Sequence, residues 1–199
     1  MAFDLRNKQL LVLGKKNMGK SGFINHLMYN MSGNYAVFDP MNEHIDYKQN
    51  DFVLVPNVKR GPEAIEQLED FIDFVIENRD IFDAVFIDEV NRYHQKGGRL
   101  TGALGELTDL SAHYNEGMSV VFVARKPTQV HVDLRDLADY LFIFRLTGVG
   151  DIRILDDIYS GLGEKVANLE DYHYYAVTSK DIQLQQPIDI TPLQHNKGI

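Results

Sequence analysis

Cysteine is missing from all 199 residues of the sequence, which excludes disulfide bonds and thiolate metal sites. The apolar runs, such as residues 10–13 and 140–144, are far shorter than the about 20 residues that a membrane-spanning helix needs. The N-terminal sequence MAFDLRNK lacks the long apolar stretch of a secretory signal. We therefore expect an intracellular chain without a membrane span.

The sequence also lacks low-complexity tracts and linkers rich in proline or serine. Its length and its 44% content of hydrophobic residues predict one domain over residues 1–185, followed by a loose tail over residues 186–199. The net charge of −9 argues against a surface built uniformly to coat nucleic acid. Local basic loops remain compatible with this charge, because an acidic body can carry a positive channel.

Short apolar segments alternate along the chain with amphipathic ones. The predicted strands are residues 8–14, 35–39, 51–56, 82–88, 118–124 and 140–145, with a terminal hairpin of residues 174–178 and 182–184. The main predicted helices are residues 19–31, 62–78, 100–114 and 151–162, with a short one within residues 130–139. This alternation predicts an α/β fold with a mostly parallel central sheet and helices on both faces. Ligands of such sheets bind outside the carboxyl ends of the strands.

The stretch LLVLGKKNMGKSGFIN joins the first predicted strand to the first predicted helix. It satisfies the P-loop (Walker A) pattern, in which glycines let backbone N–H groups converge on phosphate oxygens at the positive end of a helix. Lys20 is expected to bridge the β and γ phosphates of ATP, and Ser21 to ligate Mg²⁺. The predicted nucleotide-binding residues are Gly14, Lys15, Lys16, Asn17, Met18, Gly19, Lys20, Ser21 and Gly22.

Two lysines inside this loop, Lys15 and Lys16, are less usual. They are either a solvated basic pair or a source of positive charge for the transition state of hydrolysis. Lys15, immediately after Gly14, is the better candidate for the second role.

A pair of acids ends another buried strand, in the sequence DAVFIDEVNRYH. Here Asp88 is expected to hold Mg²⁺ through a water, and Glu89 to polarise the attacking water, as in a Walker B segment. Acids at a helix N-terminus are the ordinary alternative. Two neighbouring acids suit a water-activating ATPase better than a kinase, in which a substrate hydroxyl must be oriented.

Three further stretches carry a family resemblance. The sequences YAVFDPMNE (35–43), VVFVARKPTQVHVDLRDLADYLFIFRLT (120–147) and GDIRILDDI (150–158) resemble segments of the FtsK/HerA superfamily of DNA-pumping ATPases. Together with the P-loop and the acidic pair, the resemblance spans nearly the whole chain. The short chain looks like the genome-packaging ATPases of membrane-containing, double-jelly-roll viruses.

The resemblance implies a RecA-like P-loop NTPase core that hydrolyses ATP with Mg²⁺. It also implies a homo-oligomeric ring around double-stranded DNA, located in the host cytoplasm and associated with the virion at a capsid vertex. The sequence departs from the family at Arg125, which replaces the sensor glutamine and would act electrostatically on the γ-phosphate. The Gly-Arg-Lys that often precedes the sensor strand is also missing. The trans-acting arginine is then Arg153 or, as second choice, Arg145, and an ordinary ion pair is the alternative for each.

A basic, glycine-containing loop, RYHQKGGRLTG, follows the acidic pair. Its Lys96 and Arg99 are expected to contact DNA phosphates without reading bases, unless the loop is only a solvated turn. The favoured hypothesis is a DNA-translocating ATPase. The alternatives are a nucleotide-dependent switch of the partitioning type and a small-molecule kinase.

Overall fold

The structure is a computed structural model, and it describes residues 5–31, 33–43, 52–94, 98–113 and 118–189. Its strands are β1 (Gln9–Leu13), β2 (Tyr35–Phe38), β3 (Phe52–Leu54), β4 (Ala84–Ile87), β5 (Ser119–Ala124), β6 (Tyr140–Phe144), β7 (Tyr174–Val177) and β8 (Ile182–Gln185). They form one sheet in the order β3-β2-β4-β5-β1-β6-β7-β8. The pairs from β3 to β6 are parallel, while β7 is antiparallel to both β6 and β8. The prediction of a mostly parallel α/β sheet is confirmed.

Six α-helices connect or follow the strands in the described part of the chain. They are α1 (Lys20–Asn30), α2 (Pro62–Glu77), α3 (Gly102–His113), α4 (Val132–Asp136), α5 (Val149–Ile158) and α6 (Leu162–Ala167). The single helix predicted over residues 151–162 is wrong, because α5 ends at Ile158 and α6 begins only at Leu162. Helix α5 ends where Tyr159 turns to an extended conformation, with a φ of −153° and a ψ of 125°. Gly161, in a left-handed conformation that glycine tolerates, with a φ of 77°, then precedes α6.

The helices cover both faces of the sheet, as the alternation of buried side chains in β1 illustrates. Leu11 and Leu13 of β1 face an apolar cluster that includes side chains of α2, α3, α5 and α6. Leu10 and Val12 face a second cluster that includes side chains of α1. All four side chains are fully buried, and each contributes about 1.5–3 kcal/mol relative to an exposed position.

A side chain of α2 caps the beginning of α3. Glu69 accepts a hydrogen bond of 2.5 Å from the backbone N–H of Ala103. Such a bond satisfies one of the N–H groups that have no partner within the first turn of a helix. Burial raises the pKa of the Glu69 carboxyl above its ordinary value, and the backbone hydrogen bonds from Ala103 and Leu104 oppose this shift.

The carboxyl ends of the parallel strands lie along one edge of the sheet, and strand order determines which loops meet there. β5 lies between β1, which leads into the P-loop, and β4, which leads into the acidic pair. Within the described ranges, the structure contains no helix that is long and apolar enough to cross a bilayer.

Candidate active site

The P-loop leaves β1 at a position that admits only glycine. A Cβ on Gly14 would lie 2.6 Å from the Cβ of Phe144, the last residue of β6. Gly19, just before α1, has a φ of 106°, and a Cβ there would lie 3.2 Å from the Phe144 ring and 3.3 Å from the Tyr172 ring. The two glycines of the motif therefore let the loop pass directly over the end of β6.

Helix α1 presents its first turn to the cleft. Gly19 provides no side-chain cap, and the first turn contains no acid. The N–H groups of this turn lack intrahelical acceptors and carry the positive end of the helix dipole, so they form a site for an anion.

Lys20 lies at the same point. Its Nζ donates a hydrogen bond of 3.1 Å to the carbonyl oxygen of Lys15. Burial lowers the pKa of the Lys20 ammonium below its ordinary value, while the carboxylates of Asp88 and Glu89 raise it again. The lysine is thus a partly desolvated cation that faces both acids, and a phosphate group would stabilise its charge.

The acidic pair follows β4 directly and is buried. Asp88 and Glu89 expose 9% and 7% of their surface. Glu89 has a φ of 53° and a ψ of 32°, a left-handed conformation that is uncommon for a residue with a side chain. Its backbone N–H donates a hydrogen bond of 2.7 Å to Asp88 Oδ1. Strained conformations of this kind cluster at functional sites, where the surrounding structure maintains them.

Two arginines hold the Glu89 carboxylate from opposite oxygens. Arg125 Nε, at the end of β5, donates to Oε1 at 2.6 Å, and Arg92 Nε forms an ion pair with Oε2 at 2.8 Å. Because β5 lies beside β4, the predicted sensor residue Arg125 meets the predicted catalytic acid. Arg125 is partly exposed and lines the cavity described below, so a ligand there can reach it.

Ser21, the predicted metal ligand, has a partner that we did not predict. Its Oγ donates a hydrogen bond of 2.7 Å to Glu43 Oε2, in the loop after β2. The described residues contain no group of three or more histidine, cysteine or acidic side chains that is placed to hold a metal ion by itself. Ser21 and Asp88 line one cavity and would supply a hydroxyl and a carboxylate, and Mg²⁺ takes few protein ligands of this type when phosphate oxygens and waters complete its shell.

A single cavity of about 660 Å³ brings these groups together at the carboxyl edge of the sheet. Its lining residues are Lys16, Asn17, Gly19, Lys20, Ser21, Gly22, Phe23, Met41, Glu43, Asp88, Glu89, Arg125, Phe144, Tyr172, Pro187 and Ile188. The volume lies in the range of small-molecule and cofactor sites. The lining thus combines side chains of the P-loop, the acidic pair and the sensor position.

The other predicted arginines lie outside this cavity. Arg153 is exposed on α5 and forms no ion pair with the part of the chain that the structure describes. Arg145 is already engaged in its own chain, where its Nη2 lies 2.5 Å from Asp171 Oδ1. Among the described residues, Arg145 is therefore engaged in an ion pair within its own chain and Arg153 is not.

The predicted DNA loop is described only in part. Arg99 is exposed at its end, close to the start of α3. Lys96 lies outside the described residues. Gly98 is anchored at its carbonyl oxygen, which lies 2.8 Å from Nε2 of the buried His131.

Sequence reasoning missed Arg92, Glu43 and Tyr172. Arg92 follows Glu89 by three residues, a spacing at which side chains of a helical turn meet, so the signal was present. Glu43 closes the Asp-Pro-x-x-Glu segment, which marks a loop at the carboxyl edge but not its contact with Ser21. Tyr172 has no sequence signal, since a left-handed tyrosine with a φ of 66° cannot be read from a pattern.

Comparison with solved structures identifies proteins of the same architecture. B204, the DNA-packaging ATPase from Sulfolobus turreted icosahedral virus, superposes with a TM-score of 0.74 at 17% identity, over 92% of this chain and 99% of B204. The genome packaging NTPase B204 from Sulfolobus turreted icosahedral virus 2, in complex with ATPγS, gives a TM-score of 0.72 at 17% identity, over 92% and 98% of the two chains. The chain has the fold of these ATPases.

A third similar structure is the pCW3 conjugation coupling protein TcpA, in its monomer form with ATPγS. It gives a TM-score of 0.65 at 15% identity, over 98% of this chain and 64% of TcpA. No protein-family model matches the sequence, and no curated protein does. The P-loop ATPase fold expected from the motifs is therefore confirmed at the level of three-dimensional structure.

Proposed function

We propose that this protein is an ATP-hydrolysing motor that translocates double-stranded DNA and packages a viral genome. The observation that carries the proposal is the convergence of Lys20, Ser21, Asp88 and Glu89 on one cavity. The match to B204, a DNA-packaging ATPase, over nearly the full length of both chains supports the choice among P-loop ATPases.

In this mechanism the P-loop binds the triphosphate of ATP. The N–H groups of the first turn of α1 donate hydrogen bonds to phosphate oxygens, and Lys20 exchanges its bond to Lys15 for the β and γ phosphates. Ser21 and Asp88 would hold Mg²⁺, which would supply positive charge to neutralise the phosphates. Glu43, hydrogen-bonded to Ser21, orients the serine hydroxyl so that its lone pairs face the cavity.

Glu89 takes a proton from the attacking water, as a general base. In the structure Arg125 and Arg92 form ion pairs with its carboxylate. A γ-phosphate would compete for Arg125, whose role is then to stabilise charge that develops in the transition state. The exchange of Arg125 between Glu89 and phosphate would tie activation of the base to substrate binding.

Arg153 completes the site of a neighbouring subunit in a ring. Mixing of two inactive variants tests this role directly. Lys20→Ala has a defective P-loop but retains Arg153, whereas Arg153→Ala retains the P-loop. If the arginine acts in trans, mixed rings recover turnover that neither variant shows alone. Lys165→Ala, a nearby exposed cation on α6, is the matched control and should behave as wild type. No recovery in demonstrably mixed rings would exclude the trans role.

Double-stranded DNA passes the loop that contains Lys96 and Arg99. Contacts of this kind are made to DNA phosphates, so the affinity for DNA should decrease as the salt concentration rises. Replacing Arg99 by alanine should reduce the slope of log affinity against log salt by about one unit. Arg79→Ala, which replaces an exposed arginine just after α2, should leave the slope unchanged.

The decisive experiment measures ATP hydrolysis with and without duplex DNA for wild type, Lys20→Ala and Glu89→Gln. We expect duplex DNA to accelerate wild-type turnover and Glu89→Gln to lower it by about 10²–10⁴-fold, the usual contribution of a general base. Affinity for ATPγS should persist in Glu89→Gln. Turnover that neither substitution lowers would refute the site. Slow turnover that is insensitive to DNA, with nucleotide-controlled dimerisation, would instead identify a switch, and phosphate transfer to an added acceptor a kinase.

A further inference from the structure

The cavity has two chemically different ends, and strand order determines which residues lie at each. The loops after β2, β4 and β5 bring charged side chains to one end, namely Glu43, Asp88, Glu89 and Arg125. The P-loop after β1 lies in the middle. Beyond β6 lies a second group, here called the apolar wing, which consists of Phe144, Tyr172, Pro187 and Ile188.

The apolar wing lies at the carboxyl edge although its last strands reverse direction. β7 is antiparallel to β6, so the turn before β7, with Tyr172, lies where β6 ends. β8 is antiparallel to β7, so the segment after β8, with Pro187 and Ile188, returns to the same edge. The hairpin therefore extends the cleft on the side of the P-loop that faces away from the acids.

Tyr172 is presented to the cleft by a strained turn. Its φ of 66° is a genuine outlier for a bulky residue, and 54% of its surface remains exposed. Its ring lies close to Gly19, at the start of α1. Core packing does not explain this conformation, because the Tyr172 ring is largely exposed. The exposed ring leaves one of its faces available beside the phosphate site.

The turn is held on both sides. Asp171 pairs with Arg145, whose backbone carbonyl oxygen also accepts a hydrogen bond of 3.4 Å from Lys15 of the P-loop. His173 Nε2 lies 3.1 Å from Gln186 Oε1 in the segment after β8. These contacts fix Tyr172 relative to both the P-loop and Pro187.

We propose that the apolar wing is the nucleobase subsite, an inference that rests on the proposed function. Because the charged end takes the γ-phosphate, the base of a nucleotide bound along the P-loop points toward the wing. The Tyr172 ring stacks on one face of the base, Phe144 forms the floor, and Pro187 and Ile188 close the outer side.

The subsite discriminates little between adenine and guanine. Apart from the Tyr172 hydroxyl, the four side chains of the wing carry no hydrogen-bonding group that could read a base edge. Stacking is tolerant of base identity, since every base has a π-face. We therefore expect ATP and GTP affinities within about threefold of each other. A preference for ATP of more than about 50-fold would overturn this part, because only base-edge hydrogen bonds discriminate so strongly.

Calorimetric titration with ATPγS tests the subsite. Tyr172→Gly removes the ring and relieves the left-handed backbone, so folding is preserved. Its affinity for ATPγS should fall by about tenfold, which is the contribution expected from one stacking interaction between a base and an aromatic ring. Tyr172→Phe, which keeps a ring, should retain wild-type affinity. Tyr159→Ala removes a comparably exposed tyrosine outside the cavity and should have no effect.

Inorganic tripolyphosphate separates failure of this inference from failure of the proposed function. It has no base, so its affinity should be equal in wild type and Tyr172→Gly, while Lys20→Ala weakens both ligands. If Tyr172→Gly leaves ATPγS affinity unchanged while Lys20→Ala still weakens it, the base lies elsewhere and only the subsite is overturned. If Lys20→Ala affects neither ligand, the P-loop site itself is refuted, and the subsite with it.

Discussion

Substitution of Gly14 by alanine perturbs the junction between β1 and the P-loop in a way that the structure makes calculable. The new Cβ would lie 2.6 Å from the Cβ of Phe144, whereas ordinary contacts begin at 3.4 Å, so the two backbones must separate by 3.4 − 2.6 = 0.8 Å. Neither atom can rotate away, since a Cβ is attached directly to the backbone. Overpacking of this kind costs about 1–3 kcal/mol of stability.

The same displacement moves the P-loop relative to the acidic pair. A misplacement of about 1 Å can lower catalysis by about 100-fold, so we expect a loss of kcat/KM of this order. Urea unfolding measures the change in stability, and a phosphate-release assay measures the change in turnover.

A double-mutant cycle isolates the contact between the two β-carbons. Phe144→Ala retains the Cβ, so it should not relieve Gly14→Ala, and the coupling free energy should be near zero. Phe144→Gly removes the Cβ and should recover about 1–3 kcal/mol of the destabilisation. The free-energy cost of losing the aromatic ring is present in both cycles, so it cancels when their coupling free energies are compared. Equal coupling in the two cycles would refute the geometric argument.

Three further predictions concern other parts of the structure. Burial raises the pKa of the Glu69 carboxyl above the ordinary value of 4.5, so the folded protein binds this proton more tightly than the unfolded chain does. The resulting contribution to the free energy of unfolding is fully present below pH 4.5 and is lost as pH rises through the folded-state pKa. Glu69→Gln keeps an oxygen acceptor for Ala103 and should abolish this decline in pH-dependent urea unfolding; a persisting decline would assign it to another group. Glu43→Ala should weaken Mn²⁺ binding in the presence of ATPγS by about tenfold in electron paramagnetic resonance titrations, and unchanged binding would contradict a role in orienting Ser21. Leu68→Ala should cost about 2–5 kcal/mol because the side chain is fully buried, whereas Glu66→Ala on the exposed face of α2 should change stability by less than about 0.5 kcal/mol; similar costs would contradict the assigned burial.

The main elements of the fold were accessible from the sequence because each signal is local. The Gly-x-x-x-x-Gly-Lys-Ser segment lies between an apolar run and a helical pattern, and DAVFIDE ends an apolar run with two acids. Each pattern involves residues close in the chain, so periodicity and turn chemistry suffice. The parallel sheet then follows from the alternation of strands and helices.

Contacts across the site could not be predicted, because they depend on the order of strands in the sheet. Glu89 and Arg125 are 36 residues apart and meet only because β5 lies beside β4. Ser21 and Glu43 meet because the loop after β2 folds over the cleft. The break between α5 and α6 shows a limit of local patterns, since an extended Tyr159 and a left-handed Gly161 divide a segment whose apolar spacing favours a continuous helix.

The position of β5 has a consequence for the size of ligand that the site can accept. Adjacent strands lie about 4.8 Å apart, so neighbouring placement of β1 and β4 would leave too little room between loop and acids for a phosphoryl group and a water. With β5 inserted, the spacing doubles to about 9.6 Å. With this spacing, the acids would face the far end of a bound chain of phosphates rather than its beginning.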